Sequence, residues 1–169
     1  MKRFALAALA LSLLTAAAPA GPAAGSAVLG DITISGGFTR AMLPNQPVGG
    51  GYLTIHNRGT TADRLLGVST PAAGAGALHE MSMTAEVMSM RPLPDGIEIG
   101  PGATVALTPG GLHMMFTDVT APFTAGSTVP VTLSFEKAGK VEVDLPVLGV
   151  GEVPEGAASG MEAMPGTKP

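Results

Sequence analysis

Between Ile32 and Val147, short apolar runs recur about every ten residues, divided by Gly, Pro, Asn and Asp. The runs are Ile32–Ser35, Gly51–His56, Asp63–Val68, Leu78–Met83, Val87–Arg91, Ile97–Ile99, Thr104–Leu107, Leu112–Thr117, Val129–Phe135 and Val141–Val147. Tyr52, Thr54 and His56 alternate with Leu53 and Ile55, and Val129, Val131, Leu133 and Phe135 alternate with small or polar partners. A period of two is the mark of a strand with one dry face. Breakers such as Pro44-Asn45, Asn57-Arg58-Gly59, Asp95-Gly96 and Pro109-Gly110-Gly111 separate the runs. About eight to ten strands at this spacing predict an all-β fold, a β-sandwich with Greek-key connections. Past the first twenty residues no segment has a helical period, and no internal repeat is present.

The ends read differently. Lys2 and Arg3 precede a charge-free Ala/Leu run to about Ala18, and Ala18-Pro19-Ala20 offers small residues for cleavage. Residues 1–20 are therefore expected to be a secretory signal peptide, because the run is short and alanine-rich for a span of about 30 Å of hydrocarbon. No stable membrane insertion is expected after cleavage. A lipid-anchored form would need a cysteine after the cleavage site, and the sequence has none. The expected location is the periplasm, an oxidising compartment. From Gly151 to Pro169 the chain is rich in Gly, Pro and Ala without periodicity, and reads as a flexible tail. This leaves residues 28–150 as one domain of about 120 residues, enough for a core without staples.

Composition narrows the function. The chain has 169 residues and a formal net charge of −4, which becomes −6 once Lys2 and Arg3 are removed. With no basic footprint, nucleic acid is not an expected partner. The absence of cysteine excludes disulfides, thiolate zinc sites, Cys nucleophiles and blue-copper centres. His79-Glu80 would place its two side chains on opposite strand faces, and no nucleophile–base–orienter set is visible, so an enzyme is not expected.

The anomaly is methionine: ten in all, six of them between Met81 and Met115. In strands, His79, Met81 and Met83 share a face; so do Met88 and Met90, and so do His113 and Met115. If Thr84 pairs with Val87, Met83 lies opposite Met88 and Met81 opposite Met90, with His79 a diagonal neighbour of Met90. Thioethers are soft, neutral donors that select Cu(I), and neutral imidazole binds copper or zinc. A Met-rich set disfavours zinc, and no oxygen cluster suits calcium or magnesium. Methionine also fills irregular cores, so spacing alone leaves a soft-metal site and plain hydrophobic packing both open. Met42 and Met114 are read as core, and His56 as structural or surface. Met81, Met83 and Met88 are either a soft rim that guides an ion or a hydrophobic one. Met161 and Met164 are read as part of a solvated tail.

The arrangement resembles the periplasmic copper chaperones called PCu(A)C. Their pattern is a His, ten residues, a Met, about twenty-one residues, then His-x-Met. Here His79 and Met90 are ten residues apart, and twenty-two residues lead on to His113-Met114-Met115. The added residue is placed in the loops near Pro94-Asp95-Gly96 or Gly100-Pro101-Gly102. Gly51-Tyr52-Leu53-Thr54-Ile55-His56-Asn57 and Pro109-Gly110-Gly111-Leu112 extend the resemblance over about residues 30–148. It implies a cupredoxin-like sandwich that binds Cu(I) through His79, Met90, His113 and Met115. It also implies delivery of copper for assembly of the cytochrome c oxidase CuA centre. The implied partners are the copper ion and an apo oxidase subunit carrying that centre, or another copper chaperone. Copper storage or efflux buffering, and a metal-free interaction module, are the alternatives.

Overall fold

Alternating burial along the strands builds two facing β layers. The computed structural model describes residues 24–84, 87–149 and 151–152. The expected signal peptide, residues 85–86, residue 150 at the end of the expected domain and residues 153–169 of the expected tail lie outside the described residues. Every regular element among the described residues is a strand: β1 Ala27–Leu29, β2 Ile32–Arg40, β3 Val48–Asn57, β4 Asp63–Ser69, β5 Ala73–Thr84, β6 Val87–Pro92, β7 Ile97–Ile99, β8 Thr104–Leu107, β9 Leu112–Val119, β10 Thr128–Phe135 and β11 Lys140–Leu148.

One layer runs β6-β5-β9-β3-β2, with β1 added on β2 and β8 on β3. The other runs β11-β10-β4-β7. The layers are joined where Val147 and Leu148 of β11 pair in parallel with Thr39 and Arg40 of β2. Neighbours distant in sequence, such as β9 between β3 and β5, are the crossovers expected of a Greek-key sandwich. The inward positions of both layers meet in a single core: Ile34, Leu53, Ile55, Leu107, Met114 and Phe116 from the first; Leu65, Ile99, Val131, Leu133, Val143 and Leu145 from the second. Period-two burial in β3 and β10 matches the alternation in the sequence.

The all-β sandwich is thus present, with a short added strand, β1, and with strands that outrun the apolar runs, most of all at β2 and β5. β2 continues past Ser35 because a bulge between Ser35 and Phe38 absorbs an extra residue, with Gly36 at φ 60°. The bulge reverses facing: Ile32 and Ile34 point into the core before it, and Phe38 packs on Tyr52 after it, at 5.0 Å between ring centroids. β5 begins at Ala73, five residues before its apolar run. Ala73 to Ala77 carry no hydrophobic signal because the opposite layer crosses close by; a Cβ on Gly76 would collide with the Val68 carbonyl.

Candidate metal centre

β5, β6 and β9 form one end of the first layer, with β6 as the terminal strand of its hydrogen-bonded order. The β5–β6 hairpin pairs Met81 with Met90, Met83 with Met88 and Thr84 with Val87. This is the register read from the sequence. It is reinforced on the hairpin's other face, where Arg91 donates to Glu80 Oε2 through Nε at 2.7 Å and Nη2 at 2.6 Å. On its other side β5 pairs with β9, setting His79 directly opposite His113 and Ala77 opposite Met115.

These registers arrange the four expected ligands in three adjacent rows on one face. His79 and His113 form the middle row. Met90 lies one row to one side, on β6, and Met115 one row to the other, on β9. The intervening residues Leu78 and Met114 face the core and are buried in it. The imidazole centroids are 5.9 Å apart with the rings inclined at 65°. The rings are only 9% and 8% exposed, whereas Met90 is 51% exposed. The centre is therefore sheltered at its nitrogens and open toward the edge strand.

The two imidazoles differ in their partners. His113 Nδ1 lies 3.0 Å from the Gly111 carbonyl. A carbonyl only accepts, so in the neutral ring Nδ1 carries the proton and Nε2 keeps its lone pair. Metal-binding histidines are commonly oriented by such a bond. His79 Nδ1 is buried and has no hydrogen-bond partner among the described residues. Burial holds the His79 imidazole below the usual histidine range, and the neighbouring His113 adds to the effect. Both influences keep the ring neutral, the form that ligates. Among the described residues, no three His, Cys, Asp or Glu side chains come together. In the rows adjoining the two imidazoles on this face, the register places the thioethers of Met90 and Met115.

The other singled-out residues separate cleanly. Met114 is fully buried, and Met42 packs against the core from its edge. His56 bonds Thr104 Oγ1 through Nδ1 at 2.9 Å on the surface, away from any methionine partner in its strand. Met161 and Met164 lie outside the described residues. One neighbour of the centre was not read from the sequence. Gly50 pairs with Met115, and the Tyr52 hydroxyl fills the space over Gly50, 2.8 Å from where a Cβ would stand. The period of two in β3 already put residues 50 and 52 on one face; the pairing of β3 with β9 was the missing piece.

Comparison with known proteins gives the family and the fold. Residues 32–147 match the family described as "Putative lipoprotein LpqE-like". A curated relative, "Putative lipoprotein Lxx21020" of Leifsonia xyli subsp. xyli (strain CTCB07), is 32% identical over 93 residues. That alignment covers 55% of this chain and 56% of the relative, so the chain spans about half the length of the curated relative it matches. Among solved structures, the copper-bound PCuAC domain from PmoF2 is similar with a TM-score of 0.63 and 28% identity, covering 73% of this chain and 97% of that domain. The Cu(I) form of DR1885 from Deinococcus radiodurans is similar with a TM-score of 0.53 and 26% identity, covering 67% and 75%. The family match takes in all of the strands from β2 to β10 and nearly all of β11, and the solved relatives share the sandwich: the chain belongs to the LpqE-like family and is PCuAC-like in fold.

Proposed function

We propose that this protein is an exported copper carrier that binds Cu(I) through His79, Met90, His113 and Met115. The observation that carries the reading is the His79–His113 pair: opposed across β5 and β9, buried, and flanked by methionines in the rows on its two sides. Buried nitrogen without a partner is costly unless something completes it, and His79 Nδ1 is such an atom. A monovalent soft cation suits a donor set that carries no charge. The copper-bound and Cu(I) structures of similar PCuAC domains support the choice of metal. The names of the family and of the curated relative support export; the present sequence has no cysteine to carry a lipid.

Copper here is cargo. Neutral ligands let the ion leave without a proton having to be supplied to a thiolate, and exposed Met90 gives an acceptor one thioether to displace first. The acceptor in this reading is an apo oxidase subunit with an unfilled CuA centre. The periplasm is the compartment.

The test is anaerobic Cu(I) titration of the full chain against a competing chelator, with X-ray absorption of the loaded protein. The expected result is one tight equivalent with two nitrogen and two sulfur neighbours, lost in the His79→Ala/His113→Ala variant. Retention of that equivalent in the double variant, or a copper shell without sulfur, would refute the site. Transfer of copper from the loaded protein to an apo CuA domain then tests delivery; its absence would leave a storage role.

A further inference from the structure

The β5–β6 hairpin carries a second soft-metal site, we infer, formed by the thioethers of Met81, Met83 and Met88. It would capture a monovalent soft cation, Cu(I) or Ag(I), ahead of the centre between His79 and His113. The inference deepens the copper-carrier reading and rests on it for its role.

Three observations support it. The first is register. Met83 stands directly opposite Met88 and Met81 directly opposite Met90, so four thioethers occupy two successive rows on one face. Directly opposed residues have Cβ atoms about 4.5–5.5 Å apart, and diagonal ones remain within reach of long side chains. Three unbranched side chains can therefore bring their sulfurs to a common ion. Met90 belongs to this cluster and also to the His79 row's flank, which makes it the hand-over point between the two sites.

The second observation is exposure. Met83 is 71% and Met88 60% exposed, and all of β6 is exposed. Four of the seven exposed large hydrophobic side chains among the described residues are on this hairpin: Met83, Val87, Met88 and Met90. Packing does not account for them, because they bury little. Edge strands are ordinarily protected by charge, especially lysine, or by proline. This edge has Arg91 and Pro92 only at its end, presents the thioethers of Met88 and Met90 to solvent on one face, and carries the Glu80–Arg91 ion pair on the other.

The third is residue type. Strand surfaces favour Val, Ile, Thr and aromatics, and methionine has no special advantage there. What methionine adds is a neutral sulfur donor on a flexible stem. Transfer from the outer to the inner site is ligand exchange: Cu(I) stays Cu(I), a thioether leaves, an imidazole nitrogen takes its place, and no electron or proton moves.

The full chain, labelled with ¹³C at its methionine methyls, is titrated anaerobically with Ag(I) and separately with Cu(I). The first equivalent is expected to shift Met90 and Met115, and a second, weaker one Met81, Met83 and Met88, with core Met42 and Met114 unmoved. Met81→Leu/Met83→Leu/Met88→Leu keeps apolar bulk at each position. That variant should hold the first equivalent with unchanged affinity, lose the second, and load from a chelated Cu(I) donor at least about tenfold more slowly, the rate being read at Met115. In His79→Ala/His113→Ala the hairpin methyls should still respond. The inference is overturned if they stay unmoved while Met90 and Met115 respond, if the leucine variant retains the second equivalent, or if Met161 and Met164 take it instead. Failure of the inner site alone, with the hairpin responding in every form, would refute the copper-carrier reading and leave the thioether site standing.

Discussion

Of the three buried ionisable side chains among the described residues, Asp63 and His79 are treated in opposite ways. Asp63, at the start of β4, is buried and saturated. Its Oδ1 accepts from the backbone N–H groups of Arg64 at 2.7 Å and Lys137 at 2.9 Å, and its Oδ2 from that of Ala138 at 2.9 Å. Burial alone would raise its pKa, but the backbone bonds from Lys137, Arg64 and Ala138, with the Lys137 charge, more than offset this and hold the carboxyl below its ordinary 3.8. His79, in β5, is buried beside another imidazole with one ring nitrogen unpartnered. Asp63 is completed by the chain and ties the β10–β11 turn to β4. In the proposed reading the bound ion completes the His79 site. Satisfaction, rather than burial, separates a structural polar group from a binding one.

The largest effect expected from breaking this contrast is on copper. Losing one group that merely orients a metal ligand typically costs about 10–100-fold in affinity. Removing two ligands, as in His79→Ala/His113→Ala, should therefore weaken Cu(I) binding by at least about a thousandfold, or about 4 kcal/mol. Asp63→Ala should leave Cu(I) affinity within about threefold, since the carboxylate is tied to a different strand pair. Chelator competition on both variants measures this. Equal losses would mean that the two buried groups are not distinct in kind.

On stability the order reverses. Asp63→Ala strands three part-buried backbone donors, those of Arg64, Lys137 and Ala138, and should lower unfolding free energy by about 3 kcal/mol, measured by urea denaturation of the metal-free protein. His79→Leu removes an unsatisfied nitrogen and replaces it with apolar volume, so the metal-free protein should become more stable, by about 1 kcal/mol. A His79→Leu protein as fragile as Asp63→Ala would show that the His79 nitrogen is already satisfied, and the binding argument would lose its footing.

How much of this could be read from the sequence follows from where the signals lie. The outward rows of β5, β6 and β9 were legible because period-two facing is a local property, and Met114 against Met115 needs only adjacent positions. The β5–β6 register was legible because the two segments lie so close in sequence that few pairings are open to them. The opposition of His79 and His113 was beyond periodicity: it depends on β9 crossing to lie beside β5, a non-local pairing supplied only by the family resemblance. β2 beyond Ser35 was hidden because Gly36-Gly37 reads as a breaker while serving as a bulge. Asp63 was overlooked as a residue with a role because its partners, Lys137 and Ala138, are more than seventy positions away. Tyr52 beside Met115 failed to register for the same reason.

The smallest expected effect is the pH dependence of the metal-free protein, and it separates the two groups by window. Both have folded-state pKa values below their ordinary ones, so in each case the unfolded chain takes up protons first, and stability falls as pH drops through the interval. For His79 that interval begins at 6.5 and runs down to its lowered value. For Asp63 it begins only at 3.8. The urea midpoint of the wild type should be level above neutrality, decline as pH falls below 6.5, and decline again in strong acid. His79→Leu should stay level through the first interval and keep the second decline. A wild-type midpoint that does not move between pH 7 and pH 5 would mean that protonating His79 costs the fold nothing, so its nitrogen is reached by solvent and the proposed cation would have no sheltered lone pair to meet.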